Sequence, residues 1–443
     1  MEPVIASPGQ SDPSDRPDRS ARRTVPGGRR IAVIGGGVSG LTAGYVLSRT
    51  AEVTLFEAAA RLGGHANTRL VPGEDGHLLG VDTGFTVYNE RTYPHLTRLF
   101  HELGVTTQPS DMSMSVRCAG CGLNYAGKRG LSGLAAGLNR GGERYLGMLA
   151  QVPRFHREAR RLLMNGASGD LRLGEFLADG GYSDYFRAHF AIPLAAAVWS
   201  CPPGIALDYP AAYLFRFLDN HGMLSASGAL PWRTVTGGSR RYVARVAGRL
   251  AAVRLTAPVR TIRRHTDGVE VVDESGQTAN FDAAVIATHP DQALRLLSDP
   301  TQAEQDVLGA FSYTRTRAVL HTDSRLLPAH RRVRASWNYQ LSGCDTRTAA
   351  GISYHMNRLQ HLPDGRDYIV TLGGNGAVSP ERVIGRMEYS HPVCTPKSLA
   401  AQRRLPELNT GVSAFAGAYH GWGFHEDGCR SGVQAAQALG VSW

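Results

Sequence analysis

The chain has 443 residues, 42% hydrophobic and 19% charged, the balance of a folded globular protein and too long for one simple core. The formal net charge is +10, yet no basic tract interleaves with aromatic residues, which argues against nucleic acid as a partner. The excess reads as a solvated basic surface, with an anionic lipid face or an acidic substrate as the sharper alternative.

Residues 1–28 are rich in Pro, Asp, Ser and Arg and lack apolar periodicity, so they are expected to be a disordered tail. No apolar h-region marks them as a secretory signal. Residues 30–34 then read as a buried parallel strand, and Gly35-x-Gly37-x-x-Gly40 as the turn after it. Residues 38–49 read as a helix with small side chains on the face that meets the strand. A second strand, 53–56, closes with Glu57, completing the first βαβ unit of a dinucleotide-binding fold.

Each glycine has a physical task. Gly35 permits the tight turn, Gly37 lets a pyrophosphate approach the backbone, and Gly40 lets helix and strand pack closely. The free N–H groups of the helix start at Val38 and Ser39 then face the phosphate. Glu57 accepts both ribose hydroxyls and repels a 2′-phosphate, which disfavours NADP but leaves NAD and FAD open. Arg61-x-Gly63-Gly64 points to one of them, an ordinary turn being the alternative reading. A second glycine pair exposes more backbone N–H groups, for which FAD has a use and NAD alone has none.

Residues 95–225 read as mostly helical, at 93–103, 131–138, 145–163 and 173–177. Strand-like alternation follows at 253–262, 269–272 and 278–281, with Glu274-Ser275-Gly276 as a hairpin turn, and the short buried strand 283–287 returns the chain to the parallel sheet. Further strand-like runs lie between 311 and 375, and 414–417 precedes a final helix from about Gly428. The expected fold is α/β: a discontinuous FAD-binding Rossmann-like domain with a β-meander, from 29–94, 226–300 and 405–443. A mixed, largely helical substrate domain is expected from 95–225 and 301–404.

Six cysteines are scattered, and only Cys118-Ala-Gly-Cys121 has ligand spacing. With no second pair at the right distance it reads as a turn carrying two thiols, a zinc half-site or redox pair being the alternatives, and no metal is expected. The cysteine usage is that of a cytoplasmic protein. The apolar run 191–199 is too short to span a bilayer, so contact with a membrane is expected to be peripheral at most.

Gly35–Gly40, Glu57, Arg61-Leu62-Gly63-Gly64 and Val81-Asp82-Thr83-Gly84 together resemble the N-terminal signature of the flavin-containing amine oxidoreductase superfamily. The resemblance implies FAD. It implies further cofactor contacts from Thr83 and Gly84, from Val259 beside the adenine, from Thr288 after the strand 285–287, from Gly417 near the ribityl phosphate, and from Gly428 at a helix start near the flavin pyrimidine. The stretches RLGGHANT, VDTGFTVYNERTYPHL, ASWNYQ, YHMNRLQ and GFHEDG resemble more closely a bacterial subfamily of FAD/NAD-binding oxidoreductases. That subfamily is associated with cyclopropane-fatty-acid-synthase-like methyltransferases. It implies a small apolar substrate, an unsaturated or methylated fatty acyl chain that is desaturated or oxidised.

The sequence departs from the superfamily in one respect. Flavin amine oxidases place a lysine beside the flavin in the second substrate-domain segment, and between His289 and Lys397 this chain has none. That argues against a simple amine oxidase, which stands with a carotenoid-type desaturase as the alternative enzyme. A flavin-binding protein without turnover is the alternative of another class. Segments 191–203 and 211–224 are candidates to line an apolar site or to be plain core helices. Candidate proton-handling residues are His425, Tyr88 and His420. Glu426 and Asp427 are expected to orient the turn and cap the last helix. Trp232 with Gly237-Gly238-Ser239 resembles a glycine loop near the cofactor or substrate, or else is only a turn.

Overall fold

Residues 31–34 and 283–286 are each apolar over four consecutive positions, a pattern that suits a strand covered on both faces. In the computed structural model they lie side by side. The structure describes residues 28–127, 130–166, 171–199, 201–224, 230–345, 350–373 and 378–443. The expected tail, apart from Gly28, lies outside the described residues. Strand β1 (Arg29–Ile34) pairs in parallel with β2 (Ala51–Phe56) on one side and β13 (Ala283–Ile286) on the other, with Val33 opposite both Leu55 and Val285. Strands β9 (Ala252–Arg254) and β19 (Ser413–Phe415) complete a five-stranded sheet in the order β19-β13-β1-β2-β9. Helix α1 (Val38–Leu47) covers one face together with the C-terminal helix His425–Ala438.

Beside this sheet, β10 (Val259–Arg264), β11 (Val269–Asp273) and β12 (Thr278–Phe281) form an antiparallel meander. The hairpin β3 (Thr68–Pro72) and β4 (Leu78–Asp82) carries the chain to the Asp82-Thr83-Gly84 turn. The expected continuous strand at 253–262 is in fact two. Thr256 takes a positive φ of 51° and Pro258 follows it, so β9 stays on β2 while β10 turns away to pair with β11.

A second, seven-stranded sheet runs β18-β14-β17-β16-β15-β6-β7. It is built from β18 (Val383–Val393), β14 (Ser312–His321), β17 (Ile369–Gly373), β16 (Ala350–His355), β15 (Trp337–Leu341), β6 (Met114–Cys118) and β7 (Asn124–Gly127). Helices Gly130–Met164, Ile192–Trp199 and Ala211–Asn220 share one hydrophobic core with it. The stretch 95–225, read as mostly helical, therefore contains β6 and β7, and also β5 (Thr107–Ser110), which pairs with β8 (Trp232–Val235). These strands are short and partly polar, and their partners lie up to about two hundred residues away, so no local alternation announced them. The last helix begins at His425, three residues before the expected Gly428. Among the described residues no helix is long and apolar enough to cross a membrane.

Candidate active site

The two sheets meet over a cavity of about 720 Å³, within the 300–1,000 Å³ range of cofactor and small-molecule sites. One end is made of backbone. Gly35, Gly37, Val38 and Ser39 reach it from the β1–α1 turn, and Gly63 and Gly64 from the loop after β2. The two loops lean on each other: Gly63 N–H donates to the Gly36 carbonyl at 2.7 Å. A Cβ on Gly64 would sit 3.2 Å from the Cα of Gly37. No side chain caps α1, so its first N–H groups remain free where Val38 and Ser39 border the cavity.

Gly37 and Gly40 differ in what they face. A Cβ on Gly37 would meet no protein atom within 4 Å, and it borders the cavity. A Cβ on Gly40 would fall 2.0 Å from the Gly35 carbonyl oxygen, and Gly40 does not line the cavity. Gly428 likewise lies outside the lining, and a Cβ on it would fall 2.6 Å from Val38 Cγ1. Gly40 thus serves helix–strand packing as expected, whereas the cofactor contact expected from Gly428 is replaced by packing beneath the site.

Glu57 lines the cavity, with one carboxylate oxygen accepting from Gly36 N–H at 2.7 Å and the other from Ala59 N–H at 2.8 Å. Each oxygen keeps lone-pair capacity for a hydroxyl. Arg61 also borders the cavity, its guanidinium donating to the Gly64 carbonyl at 2.8 Å and so bracing the glycine loop. Thr83, Gly84, Val259, Thr288 and Gly417 complete the expected set along the same wall. Under Thr83, buried Asp82 accepts from Thr68 Oγ1 at 2.5 Å, Ser239 Oγ at 2.7 Å and Gln360 Nε2 at 3.1 Å. Burial pushes its carboxyl up to about 6 against those donors. The Gly237-Gly238-Ser239 loop therefore serves Asp82 and does not itself line the cavity.

Of the three candidate proton-handling residues, only His425 lines the cavity. Its ring stacks on Phe85, its Nε2 lies 3.2 Å from Tyr242 Oη, and burial holds its pKa well below the usual histidine value. Tyr88 is a correction. Its backbone pairs with Arg233 and its ring packs edge-on against Phe100 at 5.3 Å, because the extended chain points Val87 into the cavity and Tyr88 to the other side. His420 is a second correction. It ends the short turn Ala418–His420, from which Ala418 and Tyr419 border the cavity while the imidazole turns away.

Asp427 accepts from Phe424 N–H at 3.1 Å and caps its own helix as expected. Glu426 instead caps α2 (Pro94–Glu102), accepting from Leu96 N–H at 3.0 Å and His95 N–H at 3.1 Å. Helix Ala211–Asn220 is core and does not reach the cavity, whereas Ala197, Val198 and Trp199 do.

Three histidines at the cavity escaped the sequence reading: His65, His289 and His391. His65 lies 5.4 Å from His391, ring to ring, and 5.0 Å from Tyr389. Burial takes His65 down to about 3 and His391 to about 4, each further lowered by neighbouring imidazoles, and lowers His289 as well. All are neutral near pH 7. Tyr389 donates to Thr83 Oγ1 at 2.7 Å and accepts from Asn67 Nδ2 at 2.9 Å, which fixes the ring. RLGGHANT placed His65 beside the glycine pair and was the one available signal; the other two converge only through β13 and β18.

Past the glycine loops the wall becomes apolar: Val198, Trp199, Trp337, Met356, Leu359 and Leu372 carry no charge. The backbone end suits a diphosphate, with free helix N–H groups, a carboxylate placed for a ribose, and an open space at Gly37 that any side chain would fill. These residues fit FAD, and Gly417, Gly423 and the start of helix His425–Ala438 line the same cavity.

The profile of the flavin-containing amine oxidoreductase family matches residues 38–327 of this chain. A relative in Mycobacterium tuberculosis, named "Putative flavin-containing monoamine oxidase AofH", is 29% identical over 281 residues, covering 61% of this chain and 59% of that protein. The match therefore spans less than two thirds of that relative. A putrescine oxidase solved with putrescine superposes with a TM-score of 0.67 at 16% identity, over 93% of this chain and 98% of that one. A fatty acid isomerase from P. acnes that produces CLA superposes with a TM-score of 0.65 at 16% identity, over 93% and 99%.

Proposed function

The chain belongs to the flavin-containing amine oxidoreductase family and its cofactor is FAD, and from that premise we propose an oxidoreductase that takes hydride from carbon of an apolar substrate, foremost an unsaturated or methyl-branched fatty acyl chain. FAD, when bound, supplies the two-electron acceptor. The protein's residues bind and orient. Gly37, Val38 and Ser39 hold the diphosphate, Glu57 the adenosine ribose, and Thr83, Gly84 and Gly417 the rest of the cofactor. The observation that carries the substrate reading is the apolar wall of Val198, Trp199, Trp337, Met356, Leu359 and Leu372, continuous with the cofactor cavity.

Such a wall excludes water and binds a hydrocarbon through burial alone, at about 25 cal/mol per Å². The four cavity histidines, kept neutral by burial, add no charge that an acyl chain would have to desolvate. An acyl chain still carried on phospholipid would bring the basic surface of the protein against a membrane. A second reading, amine oxidation, is favoured by the names of the mycobacterial relative and the putrescine oxidase. Against it, no lysine among the described residues lines the cavity.

Anaerobic titration of the FAD-loaded protein separates the readings. Bleaching of the flavin absorption by unsaturated or methyl-branched fatty acids or their phospholipid esters, and not by putrescine or benzylamine, is expected. Bleaching by the amines alone overturns the acyl reading. No bleaching by either class leaves a flavin-binding protein without this turnover.

A further inference from the structure

The Cys118-Ala-Gly-Cys121 turn, isolated in sequence, is not isolated in the fold. Cys118 ends β6 and pairs with Leu341 at the end of β15, so the loop after β15 carries Cys344 back over the turn. Ala119 N–H donates to the Leu341 carbonyl at 2.8 Å, holding the two segments together. From the other side, the single π-helical turn Arg187–Ala191 presents buried His189, whose carbonyl accepts from Tyr125 Oη of β7 at 2.9 Å. Among the described residues this is the group of three or more His, Cys, Asp or Glu side chains with metal-ligand spacing: the four ligand atoms all lie within 4.8 Å of one another.

Two of the six separations match the edges of a zinc tetrahedron, and the others lie within 4.8 Å. Zinc–sulfur bonds of about 2.3 Å and zinc–nitrogen bonds of about 2.0–2.1 Å give tetrahedral edges of about 3.8 Å between sulfurs and about 3.6 Å from sulfur to nitrogen. Cys118 Sγ to Cys344 Sγ is 3.7 Å, and Cys121 Sγ to His189 Nε2 is 3.6 Å. The surroundings also prepare ligands. His189 Nδ1 lies 3.0 Å from the Tyr185 carbonyl, which keeps the proton on Nδ1 and leaves the Nε2 lone pair directed at the sulfurs. The Tyr185 ring stacks on the imidazole at 4.1 Å. Backbone N–H groups of Cys121 and Leu123 donate to the sulfurs of Cys118 and Cys121. Gly122, with φ of 73°, makes the turn that brings the second of these N–H groups round.

We propose that Cys118, Cys121, His189 and Cys344 bind one zinc ion as a closed structural site. Three thiolates and one imidazole fill four-coordinate zinc, leaving no position for a substrate, and each thiol releases its proton on binding. None of the four residues lines the flavin cavity. Their role is mechanical. The π-helical turn that carries His189 runs directly into helix Ile192–Trp199, whose Val198 and Trp199 form the apolar wall, and β15 brings Trp337 to the same wall. The ion clamps the edge of the seven-stranded sheet to that helix and so fixes the wall's position.

The test uses the FAD-loaded full chain, with zinc and FAD each measured per protein. One zinc per chain is expected in protein prepared with zinc. Cys344→Ser, on an exposed loop, is expected to weaken zinc retention by about 100-fold or more while FAD stays bound. Cobalt(II) reconstitution is expected to give the thiolate-bound tetrahedral bands to the red of the flavin absorption in the native protein, and to lose them in Cys344→Ser and Cys121→Ser. The proposal is overturned if zinc-supplemented protein holds no stoichiometric metal, if mass spectrometry of the unreduced protein shows a Cys118–Cys344 disulfide in its place, or if both serine variants retain zinc in full.

Discussion

The imidazole of His425 lies flat against the phenyl ring of Phe85, centroids 3.6 Å apart and planes 13° from parallel. With Nε2 3.2 Å from Tyr242 Oη and the ring buried, the side chain is held neutral and fixed at the cavity wall, at the first position of the last helix. His425→Ala is therefore expected to leave FAD bound but to slow its reduction by about 100-fold or more, the lower end of the range for a lost proton-handling group. Stopped-flow reduction beside FAD stoichiometry measures both. Unchanged reduction would remove any functional part for His425, while Tyr242→Phe separates the hydrogen bond from the stack.

Gly37 and Gly40 belong to one motif and are expected to fail in different ways. Gly37→Val places its side chain in open cavity, so the protein folds but FAD affinity drops by about 100-fold or more, roughly 2.8 kcal/mol. Gly40→Ala drives a methyl group to within 2.0 Å of a backbone carbonyl and is expected to cost about 2–3 kcal/mol of stability. Circular dichroism, thermal melting and FAD titration distinguish the two. A Gly37→Val protein that keeps full FAD would move the diphosphate elsewhere.

Glu57→Gln trades a carboxylate that accepts two backbone N–H groups for an amide whose NH₂ opposes one of them. A loss of about 1.5 kcal/mol, close to tenfold in the dissociation constant for FAD, is expected from equilibrium titration. An unaltered constant would mean that Glu57 serves only the loop.

The cavity histidines make a statement about pH. Buried His65 and His391 have folded pKa values near 3 and 4, below the unfolded value of about 6.5. The unfolded chain then binds more protons below pH 6.5, so the stability they contribute is fully present above that pH. It is lost progressively as pH falls from 6.5 through 4 towards 3. Denaturant melts of the FAD-free protein are expected to show this decline, and His391→Asn to flatten part of it. A curve that is level from pH 7 to 4 in both proteins would show these imidazoles to be solvated.

Much of the cofactor end was legible because it is local. The strand 31–34, the turn Gly35–Gly40, the helix after it, Glu57 and Gly63-Gly64 lie within thirty-four residues, and their geometry follows from glycine sterics and a single βαβ crossover. The strands read at 269–272, 278–281 and 283–287 were equally plain, since runs of apolar or alternating residues fix them without reference to partners, while the turn at Thr83 and Gly84 came from the resemblance. The strands at 107–127 were not. TQPS and NYAG carry no alternation of their own and become strands only by joining β8 and β6.

What the sequence alone determined is a flavin-binding βαβ unit with its acid and its two glycine loops, because short-range sterics dictate them. What only the tertiary structure decided is where distant side chains converge and which way each one points. Val87 faces the cavity and Tyr88 does not because strand pairing with Arg233 sets the pleat. His65, His289 and His391 meet because separate strands end at one cavity, and Cys118, Cys121, His189 and Cys344 because parallel pairing of β6 with β15 folds segments up to 226 residues apart onto one turn. Such convergence is set by long-range packing, and no window of sequence contains it.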